Sequence, residues 1–143
     1  MDSDKIRRYL TKRCGEFFIG VYSEDTLPSK AKKPFVLVCN TDAKNLPGEH
    51  WIAIYIGEDD RGEFFDSFGR EPGEPFLSFL NKHSKYWIYN DKHLQSITSS
   101  FCGHYCCFYC FYRSKGFDLI SIINMFGTNV LVNDSLVHKF VCM

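Results

Sequence analysis

An α+β fold is what this chain predicts, on three observations. Strand-length apolar runs crowd the stretch from residue 17 to residue 89, separated by turns rich in Gly, Pro and Asn. A later run, Gly103 to Arg113 (GHYCCFYCFYR), is apolar around most of its circumference, the pattern of a helix buried on several sides. Short segments with helical periodicity flank these runs at both ends of the chain. The expected architecture is a small sheet, mainly antiparallel or mixed, packed on a central helix with further helices around it.

Each element has its own reason. Residues 3 to 13 predict a short helix, with Ser3 as a cap and Ile6, Tyr9 and Leu10 on one face. Phe17 to Tyr22 is a brief extended segment, and Thr26 to Pro34 is a loop with two prolines. Pro34 to Cys39 is a β-branched apolar run of strand length, expected to be buried on both faces. Asn40 to Gly48 is turn-rich. His50 to Ile56 (HWIAIYI) is a second strand, joined through a Gly57 to Gly62 hairpin turn to Glu63–Phe68. Pro75 opens a short helix through about Lys82, and Tyr86 to Tyr89 is a last strand. Ser99 and Ser100 are candidate caps for the apolar helix, whose last turn carries Arg113 and Lys115 ahead of Gly116, complementing its dipole. Asp118 to Phe126 and Asn133 to Val141 predict two closing helices.

Composition bounds the function. At 143 residues the chain is expected to form one domain, residues 1–143, with a substantial core. A hydrophobic fraction of 45% and an aromatic fraction of 17% argue against global disorder. Lys+Arg and Asp+Glu balance at 17 each, so no overall field draws the chain to nucleic acid. The basic residues of the first thirteen positions read as the solvated face of a helix. Neither a secretory leader nor a membrane span is visible, which points to an intracellular protein of the nucleus or cytoplasm. In that reducing setting the 7 cysteines are expected to be thiols, and an odd count argues against a fully paired framework.

One ordered set of residues carries chemistry. Cys102 stands at the mouth of the buried helix, where unpaired backbone N–H groups favour a thiolate. His50 begins a strand, and Asp66 lies on the neighbouring strand, sixteen residues on. A hairpin brings the two together, so that a carboxylate on one ring nitrogen leaves the other free to take a thiol proton. Gln95, seven residues before Cys102 in a segment too polar to be core, offers an amide to the oxyanion of an acyl intermediate, alongside the Cys102 backbone N–H. Gly103 lets a substrate backbone approach, and Trp51, on the opposite face from Ile52, either joins the core or lines a narrow cleft above the nucleophile. These roles together point to a thiol peptidase.

GEHWIAIYI, then FFDSFG, then Gln95 ahead of SFCGHYCC, resembles the adenain family of viral proteases. The wider clan includes the proteases of SUMO and other ubiquitin-like proteins, and those of Maverick/Polinton-type elements. The likeness covers roughly residues 5 to 115, beginning with CGEFFIG and PFVLVCNTDA. It implies a papain-like-clan core with Cys102 as nucleophile, His50 as base, Asp66 as orienting acid, and Gln95 with the Cys102 amide as oxyanion hole. Trp51 then belongs to the substrate cleft. It also implies protein substrates with small residues, often glycine, at the scissile bond: capsid-type precursors of a virus or transposon, sometimes virion-associated, or a ubiquitin-like modifier. Three departures stand out. The region after Gly116 matches less well and lacks adenain's longer C-terminal part. Ser84 and its neighbours offer no cysteine for a disulfide-linked activating peptide, and the balanced charge does not support a DNA cofactor. No cofactor or metal is expected.

Cys102, Cys106 and Cys110 recur every four residues on one helix face, and Cys107 with Cys110 forms a CxxC. A metal or redox site is the competing chemistry. Zinc sites gather ligands from separate elements, and a redox CxxC opens a helix, whereas this cluster lies inside one. Packing thiols are the simpler reading. His83, His93, His104 and His138 lack a convincing carboxylate partner and read as surface or packing residues. A catalytically silent fold that binds ubiquitin-like proteins or capsid components is the non-enzymatic alternative.

Overall fold

The structure, a computed structural model, describes residues 1–41 and 50–143. The turn expected from Asn40 to Gly48 lies outside the described residues from position 42 onward. The chain opens with helix α1 (Ser3–Cys14), followed by strands β1 (Phe18–Ser23), β2 (Phe35–Asn40), β3 (Trp51–Ile56) and β4 (Arg61–Phe65). Helix α2 (Glu74–His83) leads to β5 (Tyr86–Tyr89), and helices α3 (Cys102–Ser114), α4 (Leu119–Ile123) and α5 (Val130–Cys142) follow.

The strands form one sheet in sequence order, β1-β2-β3-β4-β5. β2, β3 and β4 are antiparallel neighbours, while β1 pairs parallel to β2 and β5 parallel to β4. The sheet is therefore mixed rather than mainly antiparallel. Its parallel edges come from connections too long to be hairpins, one of which is the α2 crossover.

Burial on both faces explains the near-continuous apolar runs. Val36, Val38, Trp51, Ala53 and Phe65 face one side, against α1 and α3. Their neighbours Phe35, Leu37, Cys39, Ile52, Ile54, Ile56 and Phe64 face the other, against Phe76, Phe79 and Leu80 of α2. From Cys102 through Cys110, every residue of α3 except His104 is buried, as its unbroken apolar character requires.

Two expected caps move. Asp2 caps α1 in place of Ser3, its carboxylate accepting from the Lys5 N–H at 2.9 Å, and a negative charge there also suits the helix dipole. Neither Ser99 nor Ser100 caps α3, whose cap residue is Phe101 with no side-chain hydrogen bond. That leaves the first amides of α3 without a side-chain cap on the Cys102 side.

Candidate active site

Asp66 follows the last residue of β4 and is held before it holds anything else. Asn90 accepts from its N–H at 3.0 Å and donates to its carbonyl at 2.6 Å. Its Oδ1 accepts from the Phe68 N–H at 2.8 Å, folding residues 66–69 into a tight turn. Gly69 completes that turn with φ +73°, and a Cβ there would meet the Lys92 backbone at 2.9 Å, so glycine is required on both counts. The FG after the acid is thus the geometry that aims the carboxylate.

His50 immediately precedes β3, and its Nε2 lies 2.7 Å from Asp66 Oδ1. With Nε2 so engaged, the hydrogen bond to Cys102 falls to Nδ1. Phe68 stacks on the imidazole, ring centroids 4.8 Å apart and planes 25° from parallel. His50, Asp66 and Cys102 are all buried, so the chain of polar groups sits where water competes little.

The Cys102 sulfur also receives the Trp51 backbone N–H at 3.4 Å. Burial pushes the thiol up, but the His50 hydrogen bond, the Trp51 and Gly103 amides and the His50 charge outweigh it, and its pKa lies below the ordinary value. Burial pulls His50 down, yet hydrogen bonds and charge from Asp66 and Cys102 raise it to about 9. The two shifts favour a thiolate–imidazolium pair. Elsewhere burial dominates: Cys39 and Cys107 rise to about 12, Cys106 and Cys110 rise well above the ordinary value, and Cys14 rises too. None of the seven cysteines is joined in a disulfide. Among the described residues, no group of three or more His, Cys, Asp or Glu converges as a metal site.

Gln95 differs from expectation in its surroundings. The segment looked too polar for the core, yet Leu94, Gln95 and Ser96 are buried. Their polar groups are satisfied from two sides. Ser67 O accepts from the Leu94 and Gln95 amides, and Ser67 Oγ donates to Gln95 Oε1 at 2.5 Å. From α5, Asp134 accepts from Ser96 N, and Asn133 donates to Leu94 O. The Gln95 amide nitrogen donates to Ser99 O and Oγ, both at 3.0 Å, in the loop that leads into Cys102. Neither Asn90, Ser67 nor Phe68 was singled out from the sequence. The DSFG stretch was the signal for two of them.

The two residues expected at the substrate cleft are both buried. Trp51 is 5% exposed, packs in the α3-side core, and donates its indole N–H to Met1 O at 3.1 Å. Gly103 is buried as well, and a Cβ there would meet Met1, Ile6 and Trp51 at 3.2–3.4 Å. Its missing side chain admits the start of the chain and α1, where an open approach for substrate backbone was expected.

A mixed sheet between helical layers, with a helix-mouth cysteine facing an imidazole and a carboxylate from the sheet, is the papain-like-clan cysteine protease architecture. The particular likeness is viral. Over 135 aligned positions the chain is 28% identical to a cysteine protease of African swine fever virus, covering 83% of this chain and 46% of the relative. The counterpart from another isolate, described as a SUMO-1 cysteine protease, is 27% identical over the same length. The chain thus spans about half the length, 46%, of the curated relatives it matches. A crystal structure of the African swine fever virus protease superposes with TM-score 0.67 at 16% identity, covering 96% of this chain and 66% of that one. The central domain of an uncharacterized Legionella pneumophila protein matches with TM-score 0.62 at 17% identity, covering 99% and 93%. No family model matches. The resemblance to adenain-type, SUMO-protease-clan cysteine peptidases therefore holds at the level of fold and relatives. Among the described residues no helix is long and apolar enough to cross a membrane.

Proposed function

We propose that the chain is a cysteine-type endopeptidase that processes structural precursors of a virus or transposon at sites with small residues such as glycine. The observation that carries this reading is the continuous hydrogen-bonded line from Asp66 through His50 to Cys102. In the reading, the Cys102 thiolate attacks the scissile carbonyl. His50, protonated at Nδ1, gives that proton to the departing amine as the C–N bond breaks. A water then attacks the thioester, His50 takes its proton, and the acid leaves as the thiol reforms. Asp66 keeps Nε2–H oriented throughout. The Cys102 backbone N–H and the Gln95 amide hold the oxyanion, the substrate oxygen competing with Ser99 Oγ for one amide hydrogen.

A second reading has its own support. One relative is described as a SUMO-1 cysteine protease, which favours a deconjugase that removes a SUMO- or ubiquitin-like modifier. Both substrates end in small residues at the cleaved bond, so the same nucleophile serves either.

The test pairs the purified chain with short Gly-Gly peptides and with SUMO and ubiquitin C-terminal coumarin reporters. Peptide cleavage that falls by roughly 10³-fold or more in Cys102→Ala, with an unchanged melting curve, is the expected result. Rapid hydrolysis of a modifier reporter without peptide cleavage selects the second reading. Cleavage that survives Cys102→Ala ends both, as does iodoacetamide that alkylates Cys102 no faster than the exposed Cys142.

A further inference from the structure

Next to Phe68, which stacks on the His50 ring, lies an open groove of about 350 Å³ lined by Phe68, Arg70, His93 and Ile97. Each of three walls is tied to a different member of the catalytic set. Phe68 stacks on His50, Arg70 Nε lies 3.4 Å from Asp66 Oδ2, and His93 Nε2 lies 2.5 Å from Gln95 O. The fourth wall, Ile97, is 79% exposed although it stands next to buried Ser96. A single exposed apolar side chain is ordinary on a protein surface, but Ile97 shares one groove with Phe68, so together they present an apolar wall to whatever enters it.

We propose that this groove is the subsite for the peptide on the leaving-group side of the scissile bond, taking an apolar side chain with an acidic neighbour. The proposal rests on the peptidase reading above and adds a specificity to it. Two arguments fix the occupant. His50 hands its proton to the departing amine, so the chain beyond that amine must run past the imidazole, and Phe68 covers the face of that ring. Phe68, edge-on to His93 at 5.5 Å, and Ile97 then offer an apolar floor and wall. Arg70 supplies the charge. Its side chain is 62% exposed, only its Nε–H meets Asp66, and its guanidinium lies over Phe68 at 5.2 Å. Among the described residues its terminal nitrogens have no partner, which leaves a fork of donors for a substrate carboxylate.

The probe is a library of internally quenched peptides with Gly-Gly fixed and the two following positions randomised. The readout is the ratio of kcat/KM values within each enzyme, which a loss of folded protein does not move. Wild-type chain is expected to cleave peptides with Leu, Ile or Phe after Gly-Gly roughly tenfold faster than those with Ser or Lys. Ile97→Asp is expected to abolish that ratio and raise the relative rate for Lys. Arg70→Ala is expected to erase a preference for Asp or Glu at the second randomised position. A wild type that cleaves with a flat profile, or an Ile97→Asp profile identical to wild type, overturns the subsite and leaves the peptidase reading standing. A wild type that cleaves no member, and no modifier reporter, takes both down.

Discussion

The two ends of α3 each bury a carboxylate from the strand beside it, and they use it in opposite ways. At the N-terminal end Asp66 meets His50, whose charge is conditional, and through it Cys102. At the C-terminal end Glu63 accepts from Tyr109 Oη at 2.6 Å and the Leu119 N–H at 3.2 Å, with Arg113 Nε 3.2 Å away. That last contact is one of charge, since the Nε–H finds no acceptor in line. Arg113 also lies over the Tyr55 ring at 3.7 Å and donates to Phe117 O. A guanidinium does not release its proton near neutral pH, so the Glu63 cluster fastens β4, α3 and α4 together and moves no protons. Burial of a carboxylate is common to both ends. A partner that titrates sets one of them apart.

Asp66→Asn is the largest break in that contrast. The amide keeps the shape but cannot hold Nε2–H as a charged acceptor, so a loss of about 10²–10⁴-fold in kcat is expected. The pH profile gives the cause. Burial lowers His50 while Asp66 and Cys102 raise it to about 9, so the wild-type rate is expected to show an alkaline limb near pH 9, where the coupled pair loses its imidazolium proton. Without the Asp66 charge, burial weighs more and the limb moves to lower pH. A limb that stays in place would assign the His50 shift to Cys102 alone.

Next comes Gln95→Ala, which removes the proposed side-chain oxyanion donor and empties the socket formed by Ser67 and Ser99. The expected loss in kcat is about 10²–10³-fold, with KM little changed. If the melting temperature falls sharply while kcat per folded molecule is kept, Gln95 belongs with Glu63 as a fastening.

Arg113→Ala probes the inert end. Stability should fall by about 1–3 kcal/mol, and kcat per folded molecule should hold. The loss depends on pH in a direction that follows from Glu63. Burial already raises its pKa despite Tyr109, Arg113 and the Leu119 amide. Without Arg113 the folded value rises further above the unfolded one. The folded state then prefers a protonated Glu63, so stability is lost as pH climbs from the unfolded value through the folded one. Thermal melts should separate variant from wild type more at pH 8 than at pH 5. A gap that is equal at both would mean that Arg113 acts through Tyr55 and Phe117 rather than through Glu63.

The legibility of this molecule divides along sequence distance. HWIAIYI and FFDSFG announced two strands and the side chains at their ends, because strand period and turn residues are local signals. Cys102 was visible as the first residue of an unmistakable buried helix. The supports were not. Asn90 reaches Asp66 across 24 residues and Ser67 reaches Gln95 across 28, and no local pattern encodes such a bond. Gln95 looked solvated because its segment is polar, and burial became affordable only once Ser67, Asn133 and Asp134 satisfied that backbone. The parallel edges of the sheet were hidden for a related reason, since pairing across a crossover is settled by packing.

Gly103→Ala sharpens the comparison with the smallest expected effect. Gly103 sits one residue from Cys102, the proposed nucleophile, yet its neighbours are Met1, Ile6 and Trp51. A new methyl would stand 3.2 Å from Met1 Cβ and 3.3 Å from Ile6 Cδ1, closer than relaxed carbon contacts. Helix propensity favours alanine by about 1 kcal/mol, which offsets part of the crowding. The net change in stability is therefore expected within about 1 kcal/mol of zero, and the adjustment should fall on Met1, at the start of the chain. Rates on Gly-Gly peptides should change far less than in Asp66→Asn or Gln95→Ala. A rate loss comparable to that of Gln95→Ala, at unchanged stability, would instead put substrate backbone against Gly103. The packing of Met1 over it would then be a cover that opens when substrate binds.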